Sequence, residues 1–182
     1  LKRLSHICAF INFFRARSYV RKVMIKSFDE FMLHANTEEN TEFNNFCQAH
    51  NNIWLDDYSL YLAIVHEFGT FNWLTWRRDI AMRDDNTLSM LRTKLAERIL
   101  LLKYAQFIFF RQWKKVKDYA DSKGIRIIGD IPIYISMDSA DAWTNSGILD
   151  IDKDTLKPLH VAGVPPDYFS ETGQLWGNPV YK

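Results

Sequence analysis

Cysteine is scarce. Cys8 and Cys47 are the only two in 182 residues, too few for a disulfide framework and not spaced as a metal-ligand motif, which favours a reducing compartment, the cytoplasm. Cys47 and His50 stand three apart on an expected helix, but two ligands do not make a zinc site, so no metal is expected. An excess of charge is lacking as well: 23 Lys and Arg face 22 Asp and Glu, a formal net charge of +1. That balance supplies no field to draw in nucleic acid or an acidic membrane surface. Long apolar runs are missing. Ile7 to Phe14 is apolar apart from Asn12 and has basic flanks, yet it is too short to span a bilayer and no small-residue cleavage site follows, so a buried helix turn is expected there. No phosphate-binding glycine loop, nucleophile elbow or Cys–His pair at a catalytic spacing occurs, and low complexity and internal repeats are absent. What remains is globular in composition, 47% hydrophobic and 25% charged, and sized for one ordinary core. The chain opens at Leu1 without an initiator methionine and stops soon after its most distinctive stretch; a fragment of a longer protein is the expectation.

Helical periods fill the first two thirds. Phe14, Val20, Val23, Met24, Phe28, Phe31 and Met32 recur at three- and four-residue steps and predict a helix over about 11–35. After a break at 36–41, Thr41 is placed to cap a short helix over 42–51 that carries Phe43, Phe46 and Cys47. Asp56 or Asp57 opens a third helix with the stripe Tyr58, Leu60, Tyr61, Ile64, Val65 and Phe68, and Gly69 stops it. Trp73 and Trp76 read as a packed corner in preference to a sugar grip. The longest helix is expected over 88–122, on the stripe Leu95, Ile99, Leu102, Phe109, Trp113, Val116 and Ala120, with tertiary packing favoured over a coiled coil because the flanks lack a regular charge pattern.

Gly124 ends that helix, and the β-branched run Ile125 to Ile131 follows at once. Little alternation in such a run predicts a strand buried on both faces of a parallel sheet. Pro132 cannot join a ladder, so the strand ends near Ile131 and leaves Asp130 at its C-terminal end, with Tyr134 on the same rim. Asp138 to Asp141 reads as a helix start. Asp150, Asp152 and Asp154 mimic the opening of a calcium loop, but Thr155 stands where its glycine belongs and no Glu follows, so a solvated turn is expected. Two short strands are expected near 148–151 and 158–161.

The stretch Gly163 to Tyr181, GVPPDYFSETGQLWGNPVY, has neither helical nor alternating apolar period. It reads as a shaped loop in which Pro165 and Pro166 stiffen the entry, while Gly173 and Gly177 permit tight bends. Asp167, Tyr168, Phe169, Gln174 and Trp176 then project from a rigid backbone. Aromatic faces beside amides and a carboxylate suit a sugar ring, whose C–H face is apolar and whose hydroxyls need partners. The competing reading is a proline-rich surface loop whose aromatics plug the neighbouring core.

The runs GDIPIYISMDSADAW and VAGVPPDYFSETGQLWGNPVY closely resemble the 4-alpha-glucanotransferases, also called amylomaltases or disproportionating enzymes, and IWLDDYSLYLAIVHEFG and FIFFRQWKKVKDYADSKGIRIIGD are similar to the same family. The likeness covers about 46–182, weakens toward Arg21 and is not found before it. It implies an α/β fold: part of a (β/α)8 TIM barrel with a large helical insertion, the insertion over 1–122 and the barrel segment over 123–182. It also implies that Asp130 lies beside the sugar at the cleavage point and that Tyr134 can stack on that sugar. Gln174 and Trp176 would contact donor-side glucose, while Asp167, Tyr168 and Phe169 shape a cover over the acceptor side. The implied partners are α-1,4-glucans and maltooligosaccharides, and the implied reaction is a retaining double displacement needing no organic cofactor. Its nucleophile and acid are expected beyond Lys182, since the family's Arg-x-Asp-His run, its acidic run containing the Glu and its later His-Asp pair do not occur here. Two other classes stay open: a non-catalytic α-glucan-binding module, and a helical interaction protein built on 1–122.

Overall fold

The computed structural model describes residues 12–182, which leaves Cys8 and the first part of the expected buried turn at 7–14 outside the described residues. Two compact units divide the chain, Leu1–Asn45 and Phe46–Lys182.

In the first unit, α1 spans Phe13–His34, and Asn12 caps it by accepting the Arg15 N–H at 2.9 Å. The expected apolar stripe is mostly uncovered. Phe28 is its buried member, while Phe14, Val20, Val23 and Met32 are exposed; a period shows which face is apolar, not whether anything covers it. Phe31 meets Phe43 of α2 (Thr37–His50) edge to face at 5.5 Å. That helix starts earlier than the sequence reading placed it. Asn36 and Glu39 form a reciprocal cap: Asn36 Oδ1 accepts from the Glu39 N–H at 2.9 Å and Glu39 Oε2 accepts from the Asn36 N–H at 3.1 Å. Thr41 lies inside the helix and donates to the Thr37 carbonyl.

The second unit holds the main core. A π-helical turn, Asn51–Leu55, leads into α3 (Asp56–Phe68), and Gly69 ends α3 at φ 72°, donating to the Val65 carbonyl at 2.8 Å. Leu60, Tyr61, Ala63, Ile64 and Val65 form its buried face. Against them lie Trp73, Trp76, Ile80 and Ala81 of α4 (Arg78–Ala81), Leu88 and Leu95. The tryptophan corner is packed as expected: Trp73 Nε1 donates to the Met137 carbonyl at 2.7 Å and Trp76 Nε1 to that of Thr70 at 3.3 Å.

The single helix expected over 88–122 is two, α5 (Asp85–Lys94) and α6 (Ala96–Ser122). They are separated at Leu95, which sits at φ −105°, ψ 15° with its side chain in the core. The apolar period runs through the break, which is why the sequence reads as continuous. Tyr104 and Phe107 anchor the middle of α6, whose flanks there are partly covered; further on, Phe109, Trp113, Val116 and Tyr119 are exposed until Ala120 is buried again.

The strand expected at Ile125 to Ile131 does not form. The segment is irregular, and Ile125, Ile127, Ile128 and Ile131 are exposed, Ile128 to 94%. A buried parallel strand exists only between neighbours that complete its ladder, and none stands beside this one among the described residues. The described fold is therefore mostly helical. α7 (Ala140–Thr144) follows, capped by Ser139, whose Oγ accepts from the Ala142 N–H at 3.1 Å. The sheet consists of β1 (Val161–Val164) and β2 (Gln174–Pro179), paired antiparallel with Val164 opposite Gln174 and Val161 opposite Pro179. The strands expected at 148–151 and 158–161 are reduced to single bridges, Leu149 to Tyr181 and Ile151 to Pro158.

Candidate functional site

The stretch read as a shaped loop is a β-hairpin. Close backbone approach at its end leaves room only for glycine: a Cβ on Gly163 would lie 2.7 Å from the Gln174 carbonyl oxygen, and one on Gly173, at φ 74°, would lie 2.6 Å from that of Val164. Between the strands, Asp167 Oδ1 accepts from the N–H groups of Phe169 at 2.9 Å and Ser170 at 2.8 Å, and Ser170 Oγ donates to the Gly173 carbonyl at 2.8 Å. Asp167 thus spends one carboxylate oxygen on building the turn. The turn presents Tyr168 and Phe169 outward, 97% and 87% exposed, their rings edge to face at 5.6 Å. Neither plugs a core.

On β2, Trp176 Nε1 donates to Gln174 Oε1 at 3.1 Å. The Trp176 ring meets Tyr134 at 6.4 Å, and Tyr134 stacks on Tyr181 at 6.3 Å with 12° between the planes. Three residues singled out from the sequence, Tyr134, Gln174 and Trp176, are therefore brought together. Asp130 is placed otherwise than expected. It closes no buried strand; it is exposed, and its Oδ1 accepts from the next N–H, that of Ile131, at 2.8 Å. A carboxylate closing a buried strand would need a partner or a ligand to offset its desolvation; an exposed Asp130 needs neither.

Sequence reading missed Asn178 and Tyr181. Asn178 Nδ2 donates to the Ile135 carbonyl at 2.9 Å, and Tyr181 Oη to the Ile133 carbonyl at 3.1 Å. No local pattern announces bonds that span more than forty positions, although the aromatic and amide content of the tail was visible.

The other polar features are structural. Asp152 Oδ1 collects the Thr155 N–H at 2.7 Å and the Asp154 N–H at 3.1 Å, and the bond from Thr155 foremost holds its carboxyl below the usual range. This is the solvated turn expected of the acidic run. Asp150 meets His160 at 2.6 Å. Among the described residues no group of three His, Cys, Asp or Glu is arranged to hold a metal, and burial pushes the Cys47 thiol up, away from nucleophilic use. No helix of the described residues is long and apolar enough to cross a membrane. A cavity of about 250 Å³ lies between α3 and α6, and one of about 290 Å³ lies between the π turn with α3 and α7. Neither is lined by the hairpin.

Comparison with known proteins identifies the family of the chain. The family described as 4-alpha-glucanotransferase matches residues 2–182, so the likeness extends well before Arg21, where sequence reading had lost it. A 4-alpha-glucanotransferase of Clostridium butyricum is 46% identical over 160 residues, 88% of this chain and 32% of that protein. One of Synechocystis sp. is 42% identical over 171 residues, 94% of this chain and 34% of that protein. Among solved structures, an amylomaltase from Streptococcus agalactiae in complex with acarbose matches with a TM-score of 0.82 at 37% identity, over 91% of this chain and 32% of that one. The chain spans about a third of the length of these relatives. With a family match over nearly its whole length and relatives above 40% identity, the chain belongs to the 4-alpha-glucanotransferase family.

Proposed function

We propose that this chain is the substrate-binding part of a 4-alpha-glucanotransferase that moves α-1,4-glucan segments between maltooligosaccharides. The observation that carries the reading is the cluster of Tyr134 with Gln174 and Trp176 of the hairpin strand that leaves a turn with exposed aromatics. Aromatic faces and an amide offer a glucose ring an apolar platform and hydroxyl partners at once. A structural relative that holds acarbose supports a carbohydrate as the ligand.

The chemistry is a double displacement. A carboxylate attacks the anomeric carbon while a carboxylic acid protonates the leaving oxygen; an acceptor hydroxyl then reverses both steps. We place the nucleophile and the acid outside residues 1–182 and assign this chain the binding of the glucan. Trp176 and Gln174 hold donor-side glucose, Tyr134 stacks beside them and Asp130 faces the sugar at the cleavage point. Tyr168 and Phe169, on the turn built by Asp167, cover the acceptor side and keep water from the covalent intermediate. In this reading residues 123–182 are a segment of a (β/α)8 barrel and 1–122 are a helical insertion. A reducing compartment such as the cytoplasm suits a chain with so few cysteines.

The test is incubation of the intact enzyme carrying this chain with maltotriose, followed by chromatography. Glucose appearing together with longer maltooligosaccharides is expected. Glucose and maltose alone would make it a hydrolase, and tight glucan binding without products would leave a non-catalytic binding module.

A further inference from the structure

Tyr134 is held from both sides by the hairpin. The carbonyl of the residue before it, Ile133, accepts from Tyr181 Oη at 3.1 Å, and the carbonyl of the residue after it, Ile135, accepts from Asn178 Nδ2 at 2.9 Å. The ring of Tyr181, 12° from parallel, stacks on the ring between those two carbonyls. The segment so gripped belongs to no helix or strand, and the isoleucines at 131 and 133 are exposed. Nothing in its own backbone fixes where Tyr134 points. Asn178 lies on β2 with Gln174 and Trp176, and Tyr181 follows two residues after that strand ends, so the grip sets the distance between Tyr134 and those two.

We propose that Asn178 and Tyr181 are positioning residues that clamp the backbone on either side of Tyr134 and so hold its ring at the Trp176 edge of the glucan site. Neither touches the reacting atoms. The clamp acts before substrate arrives, lowering the ordering cost that binding would otherwise meet. This rests on the glucan-binding reading above. An interaction made equally in the ground and transition states changes KM and leaves kcat alone, so the clamp shows in KM.

The experiment uses the intact enzyme with maltotriose. Tyr181→Phe keeps the ring and deletes the hydroxyl; Asn178→Ala deletes the amide. Each is expected to raise KM about three- to tenfold, the worth of one net hydrogen bond, with kcat within about twofold. Each is then repeated in a Tyr134→Ala background, where it should raise KM no further, because residues acting through a shared partner are not additive. A merely structural role would give the same loss in both backgrounds, and that result overturns the clamp, as does an unchanged KM in the single variants. A wild type that forms no transfer products overturns the glucan reading and the clamp with it, whereas an active wild type with additive variants overturns the clamp alone.

Discussion

Trp143 donates its indole Nε1–H to the backbone carbonyl of Ile80 at 3.0 Å, entirely within the core. The bond ties α7 to α4, two helices far too short to persist alone. Arg83 closes the same corner. Its guanidinium lies 4.4 Å from the Trp143 ring centroid, meets Asp57 at 2.6 Å and donates to Thr144 Oγ1 at 3.3 Å.

Trp143→Phe keeps most of the apolar contact but removes one of two hydrogen bonds to the Ile80 carbonyl, which also accepts from the Arg83 N–H at 3.1 Å, and should cost about 0.5–1.5 kcal/mol. Trp143→Ala adds a cavity and should cost about 3–5 kcal/mol. Urea unfolding measures both; a Phe variant as stable as the wild type would show that the Arg83 N–H alone satisfies the carbonyl.

Gly173→Ala forces a Cβ to within 2.6 Å of the Val164 oxygen at a left-handed φ of 74°. Gly124, at φ 70°, has nothing within 4 Å of the same construction. Both substitutions carry the left-handed penalty of about 1–2 kcal/mol, but the first must also part the hairpin. Proteolysis near Pro165 to Gly173 should therefore speed up in Gly173→Ala and stay unchanged in Gly124→Ala.

Acid sensitivity should trace to Asp79. A hydrogen bond from Arg77 above all, with others from Thr87 and the Ile80 N–H, lowers its pKa from 3.8 to about 2. A depressed carboxyl stabilises the fold above its unfolded pKa, and that contribution is lost as pH falls through the folded value. Asp79→Asn should lower the urea midpoint at neutral pH, with the difference from wild type closing between about pH 4 and pH 2. A gap that stays constant across that window would assign the loss to something other than titration.

Phe169→Ala should leave stability within about 0.5 kcal/mol, since the ring is almost fully exposed. Under the proposed cover role, its removal in the intact enzyme should raise glucose release by hydrolysis relative to transfer. An unchanged ratio on maltotriose would show that the turn is no water shield.

Much of this was legible beforehand, and for local reasons. Gly69 ends α3 because only glycine takes that φ cheaply, and Trp73 and Trp76 sit in a core because their neighbours leave them little else. What escaped depended on partners far along the chain. Leu95 breaks a helix whose apolar period never falters, because the core and not the period sets the bend. The hairpin at Gly163 to Tyr181 hides behind glycine and proline punctuation, since its strands pair without an apolar face to alternate against. Asp130, Asn178 and Tyr181 take their roles from surroundings that no window of sequence contains.

The isoleucine-rich run from Ile125 to Ile133 carries a last consequence, for handling the chain in cells. Exposed β-branched residues in an unladdered segment are the kind of surface that joins neighbouring molecules into aggregates. Only Arg126, Gly129, Asp130 and Pro132 interrupt it, and the charge of Asp130 next to the ladder-breaking Pro132 makes these two its gatekeepers. The aspartate proposed to face the sugar at the cleavage point would thus also guard the solubility of the chain.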